Sequence, residues 1–91
     1  MNKSELIEIM ASKANVTKQV AENLLNAFMG AVSDTLSNGE MITLVNFGTF
    51  YTTERSARDG RNPQTGETIR IPSARVARFK VGKELKEKVK G

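Results

Sequence analysis

The chain has neither cysteine nor histidine among its 91 residues. The first absence excludes disulfides and thiolate metal sites. The second removes the usual general base and the commonest metal ligand. Carboxylates and lysines remain, but nothing gathers them around a nucleophile, so no catalytic residue, metal site or cofactor is expected and the chain does not read as an enzyme. Aromatic residues are scarce: Phe28, Phe47, Phe50, Tyr51 and Phe79 are the whole set. The N-terminus lacks an apolar stretch of signal-peptide type, and no uninterrupted apolar run reaches the length of a membrane span. These absences lead us to expect one cytoplasmic domain with no membrane partner, near the lower end of the sizes that fold without cross-links.

What the chain does have is basic charge, unevenly placed. The net charge is +4. Residues 1–52 carry three lysines against five acidic residues, a balance of −2. Residues 53–80 carry seven basic residues (Arg55, Arg58, Arg61, Arg70, Arg75, Arg78, Lys80) against three acidic ones, a balance of +4, and the tail beyond them adds +2. Positive charge gathered at one end of a small protein is the electrostatic footprint of a polyanion binder.

Hydrophobic periodicity gives the frame. Asn2 followed by Glu5 has the spacing of a capping box, and Leu6, Ile7, Met10 and Ala14 recur at helical intervals. Asn15 ends that helix. Thr17 opens a longer one, from Lys18 to about Ser37, whose apolar face is broader than a single stripe and which Asn38-Gly39 closes. The period then changes from 3.6 to 2. Strands are expected over Met41–Val45, from Thr49 to about Arg58 and from about Thr68 to Val81, with a turn at Asn46-Phe47-Gly48 and an interruption at Pro72, which has no N–H for a ladder. Gly82 precedes a short last helix carrying Leu85 and Val89. The fold class is α+β: two N-terminal helices, a three-stranded antiparallel sheet with a long β-ribbon arm, and a C-terminal helix. The working division is a body over residues 1–52, an arm over 53–76, and a strand end and helix over 77–91. Without the arm the body is small, and surplus apolar surface on both helix and sheet, where Phe28, Phe47, Phe50 and Phe79 lie, implies a second copy. The partner is the same chain or a close relative.

The arm, from Arg55 to Arg75, has turn chemistry in its middle and almost no apolar residues besides Ile69 and Ile71. Folded as a hairpin, legs of about eight residues would reach roughly 25 Å, beyond the radius of a duplex. Arg55, Arg58, Arg61, Arg70 and Arg75 suit phosphates or a narrow minor groove. Pro63, rigid and without an N–H, sits at the tip, where Asn62-Pro63 and Thr65-Gly66 by themselves need mean no more than a turn.

The segment Phe47-Gly48-Thr49-Phe50, with Arg55, Arg58 and Gly60-Arg61-Asn62-Pro63-Gln64-Thr65-Gly66-Glu67, resembles the bacterial histone-like HU and integration host factor family. The resemblance runs from Asn2-Lys3-Ser4-Glu5-Leu6 to Gly82-Lys83-Glu84-Leu85. It implies an intertwined dimer whose paired arms embrace double-stranded DNA through the minor groove, with the proline at each tip wedging between base pairs. The DNA-binding residues it implies are Arg55, Arg58, Arg61, Asn62, Pro63, Gln64, Arg70 and Arg75 in the arm, with Arg78, Lys80, Lys83, Lys86 and Lys3 along the body. Asn46 stands where the family usually has glycine, Thr53 where it is commonly basic, and Ala77 and Val81 where HU proteins usually carry prolines. The function implied is bending and compaction of DNA in the bacterial nucleoid with little sequence preference, favouring bent, nicked or gapped duplex. Site-specific bending, RNA binding and a protein-interaction ribbon are the alternatives.

Overall fold

The computed structural model describes residues 1–91, which divide into two compact units, Met1–Asp34 and Thr35–Gly91. In the first, helix α1 spans Lys3–Ala14. Asn2 caps it by accepting a hydrogen bond from the Glu5 N–H at 2.9 Å. Asn15 stops it by turning left-handed, at φ 55°. That turn aims the Asn15 N–H at the Ser12 carbonyl (3.3 Å) and the Val16 N–H at the Ala11 carbonyl (3.0 Å), filling two acceptors that the helix end leaves open. Helix α2, Lys18–Ser37, is capped by Thr17, whose Oγ1 accepts from the Val20 N–H at 3.2 Å. Ile7, Ala11 and Ala21 form the small core of this unit, with Met10 and Leu25 packed against it. Along α2, Val20, Leu24 and Phe28 follow one another at helical spacing and remain 42, 56 and 43 % exposed.

The second unit begins with the end of α2, where the Gly39 N–H donates to the Leu36 carbonyl (3.0 Å) and the Glu40 N–H to the Thr35 carbonyl (3.1 Å). Strands β1 (Ile42–Leu44), β2 (Gly48–Arg55) and β5 (Ala74–Val81) form an antiparallel sheet in the order β1-β2-β5. Strands β3 (Arg58–Arg61) and β4 (Thr68–Ile71) form a separate two-stranded ribbon, the arm. At the β1–β2 turn Asn46 takes φ 67°, and the Phe47 N–H returns to the Leu44 carbonyl at 3.0 Å. Asparagine tolerates this region where most side chains do not.

Phe79 lies against Phe50, ring centroids 4.7 Å apart, and against Phe47 at 5.7 Å. The aromatic cluster needs Gly48 beneath it, because a Cβ there would fall 2.4 Å from the Phe79 ring and 2.6 Å from the Lys80 carbonyl oxygen. Helix α3, Lys83–Lys90, follows Gly82, whose N–H bonds the Phe47 carbonyl at 2.8 Å.

The elements are those expected, with one refinement of the two long strands. Each leg is broken where it leaves the sheet: one at Ser56-Ala57, between β2 and β3, and the other at Pro72-Ser73, between β4 and β5. Pro72 accounts for the second break. A proline cannot donate to the facing leg, so the first leg loses its ladder at the same level. The Arg55 guanidinium spans the break, donating to the Pro72 carbonyl at 3.2 Å.

Candidate nucleic-acid interface

Successive side chains of a strand point to opposite faces, so the register determines which residues meet. Thr49 pairs with Thr43 on one side and Lys80 on the other; Tyr51 pairs with Arg78, Thr53 with Val76 and Arg55 with Ala74. One face of the sheet therefore carries Thr43, Thr49, Tyr51, Thr53, Arg55, Ala74, Val76, Arg78 and Lys80. Its charges are all cationic, with no acidic residue in the register, and apart from Ala74 and Val76 it is polar. Thr49 donates to the Thr43 hydroxyl at 3.4 Å, and Thr43, Thr49, Tyr51, Met41 and Lys80 line an open groove. The opposite face carries Ile42, Leu44, Phe50, Phe79 and Val81, together with the paired Glu54 and Arg75.

In the arm, Arg58 pairs with Ile71 and Gly60 with Ile69, while Asp59 pairs with Arg70 and Arg61 with Thr68. The two isoleucines fold across Gly60; a Cβ there would come within 2.9 Å of Ile71 Cδ1 and 3.6 Å of Ile69 Cγ1. Glycine thus lets a ribbon with hardly any core make one small apolar contact of its own. On the other face Arg70 donates to Asp59 at 3.2 Å. Arg58 and Arg61 are exposed and form none of the chain's ion pairs.

The tip is held by Asn62. Its N–H donates to the Glu67 carbonyl (2.8 Å), its carbonyl accepts from the Gly66 N–H (2.7 Å), and its side-chain Oδ1 accepts from the Gln64 N–H (2.9 Å). Thr65 Oγ1 accepts from the Glu67 N–H at 3.3 Å, and Gly66 supplies φ 74°. The outcome is a closed turn with Pro63 and Gln64 exposed on it.

The residues named from sequence thus fall into separate groups. Arg55, Arg78 and Lys80 share the cationic sheet face, and Arg58, Arg61, Arg70, Pro63 and Gln64 lie on the arm. Asn62 spends its polar groups shaping the tip. Arg75 is set apart on the reverse face, donating to Glu54 at 3.1 Å and to the Ser37 carbonyl. Lys83 and Lys86 are exposed on α3, and Lys3 is exposed at the start of α1. Thr43, Thr49 and Tyr51 were not named as site residues from sequence, and Thr53 was marked only as standing where the family is commonly basic. The alternation Thr49-Tyr51-Thr53 was the available signal, but Thr43 needed the cross-strand register.

The profile of the family described as bacterial DNA-binding protein matches residues 1–90. A DNA-binding protein HU from Clostridium pasteurianum is 54% identical over 89 residues, covering 98% of both chains. HU-alpha from Vibrio cholerae is 49% identical over 90 residues, covering 99% of this chain and all of its own length. Among solved structures, an Anabaena HU–DNA cocrystal structure superposes with a TM-score of 0.89 at 47% identity, covering 98% of this chain and 97% of that one. HU from Thermotoga maritima superposes with a TM-score of 0.69 at 30% identity, covering 98% of each. With profile, sequence and fold agreeing over nearly its whole length, the chain belongs to the bacterial DNA-binding protein family of HU.

Proposed function

We propose that this protein binds, bends and compacts double-stranded DNA with little sequence preference, as an architectural component of the bacterial nucleoid in the cytoplasm. The observation that carries this reading is the coexistence of a cationic sheet face (Arg55, Arg78, Lys80) with an arm whose Arg58 and Arg61 are left unpaired, in a chain so similar to a protein crystallised with DNA. The acting form is a dimer. The exposed stripe of Val20, Leu24 and Phe28 and the half-covered Phe47 and Phe79 supply its apolar surface. Relatives named HU-alpha and HU-beta support a close relative as an alternative partner.

Duplex lies on the polar sheet face, and each arm follows the minor groove, with Arg58, Arg61 and Arg70 near phosphates. Phosphate displaces Asp59 from Arg70 readily, since so exposed an ion pair is weak. Pro63 wedges at a base step from the tip that Asn62 shapes. Lys83, Lys86 and Lys3 extend the path of the bent duplex. The residues divide by role into a dimerising body (1–52), the arm (53–76) and the end of β5 with α3 (77–91). No reaction is assigned to it.

Bending a duplex smoothly costs about 1–6 kcal/mol, so DNA already bent, nicked or gapped binds more tightly than straight duplex. Competition at physiological salt among straight duplex, nicked duplex, duplexes of varied sequence and RNA tests the proposal. Nicked DNA winning, with the sequences equal, supports it; preference for one sequence or for RNA rejects it.

A further inference from the structure

We propose that Arg75 is a positioning residue that fixes the root of the arm, and not a ligand of phosphate; this deepens the DNA-bending reading and rests on it. Three observations carry the proposal. First, Arg75 pairs with Glu54, which puts both side chains on the sheet face opposite Thr49, Tyr51, Arg78 and Lys80. A duplex lying on the cationic face meets Arg55 and Arg78 and not Arg75.

Second, the guanidinium is already engaged by two acceptors from separate elements. Its Nε donates to Glu54 Oε1 in β2 at 3.1 Å, and its Nη1 donates to the carbonyl of Ser37, the last residue of α2. A helix C-terminus presents carbonyls without partners and the negative end of the helix dipole, so a cation is favoured there. Third, the planar group lies against Gly39, where a Cβ would sit 3.5 Å from Cζ and from Nη2. Leu36, Ser37, Thr52, Arg75 and Ala77 together line the cleft in which it sits.

The consequence is mechanical. Arg75 stands two residues after the strand break at Pro72-Ser73, and Glu54 two before the break at Ser56-Ala57. The last cross-strand contact on this face before the ladder breaks is therefore tied to the end of α2. An arm that delivers a wedge must push against something, and this tie makes the terminus of α2 its footing. A lysine has one point-like donor group and cannot present a planar fork to both acceptors.

The test compares Arg75→Gln, Arg75→Lys, Glu54→Gln and Arg58→Gln in the full-length protein. Binding to straight duplex is titrated across salt, bending is read by fluorescence transfer between the duplex ends, and hydrogen exchange is followed without DNA. Arg75→Gln is expected to leave the salt slope at its wild-type value, lower and broaden the transfer signal, and speed amide exchange over Glu54–Arg61 about tenfold. Arg75→Lys should fall between wild type and Arg75→Gln. Arg58→Gln should flatten the slope by about 0.9 for each phosphate no longer neutralised and leave exchange unchanged. Glu54→Gln decides even if Arg75→Gln fails to fold. Faster exchange with weaker bending supports the tie, whereas tighter binding with a steeper slope marks Arg75 as a masked phosphate ligand and overturns it. A flatter slope in Arg75→Gln with unchanged exchange also overturns it. Should the wild type itself not bend DNA, the functional reading falls, and the exchange comparison alone still decides the tie.

Discussion

Arginines of one segment, alike in sequence, have different occupations in the folded chain. Arg55 closes on the Pro72 carbonyl, Arg70 on Asp59 and Arg75 on Glu54, whereas Arg58 and Arg61 have no acceptor to give up before they act on a partner. Replacing either of these two by glutamine should weaken binding to all sequences alike. It should also flatten the dependence of log K on log salt by about 0.9 per phosphate that the arginine neutralises. A loss confined to one sequence would contradict backbone binding. Glycine has an equally local role. Gly48→Ala forces a methyl group against the Phe79 ring and the Lys80 carbonyl, an overpacking expected to destabilise by roughly 1–3 kcal/mol. Urea unfolding would measure it as a lower midpoint at unchanged slope.

At the scale of elements, helix ends are set by short-range chemistry and the arm by its two breaks. Asn15→Ala retains the helix-forming composition of α1 but puts alanine in the left-handed region, at a cost of about 1–2 kcal/mol. A reduced unfolding midpoint is the expected result. In the arm, Pro63 is exposed on a turn that Asn62 closes independently. Pro63→Ala should therefore preserve the ribbon and most of the affinity while lowering the bend read by fluorescence transfer. Equal bending by wild type and variant would remove the wedge from the mechanism. A ribbon of two strands is marginal by itself in water, and the approach of Ile69 and Ile71 to Gly60 gives it a small apolar contact of its own.

Over the whole chain the buried hydrophobic residues are only Ile7, Ala11 and Ala21 in the first unit and Leu36 in the second, and no large side chain is fully buried. A core that small leaves a single chain short of apolar burial, which is why the dimer is the form proposed to act. Leu24→Lys, in the middle of the exposed α2 stripe, should shift sedimentation toward monomer and lower thermal stability in proportion, with stability becoming concentration-dependent. A variant that stays dimeric would place the interface elsewhere.

Much of this was legible in the sequence because it depends on neighbours along the chain. Asn2, Asn15, Thr17 and Gly39 mark helix boundaries through bonds reaching at most five residues, and the change of period at Met41 announced the strands. The arm was visible for the same reason: arginines, Pro63 and a turn lie within one continuous segment. What the sequence could not supply was the partner of each residue across the fold. That Thr49 meets Thr43 and Lys80, that Pro72 breaks the facing leg as well as its own, and that Arg75 turns to the reverse face onto Glu54 and Ser37 all depend on strand register and on a helix end brought close in space. Charge type and spacing are written locally. Which arginines remain unpaired is decided only when distant carboxylates and carbonyls have been folded against the others.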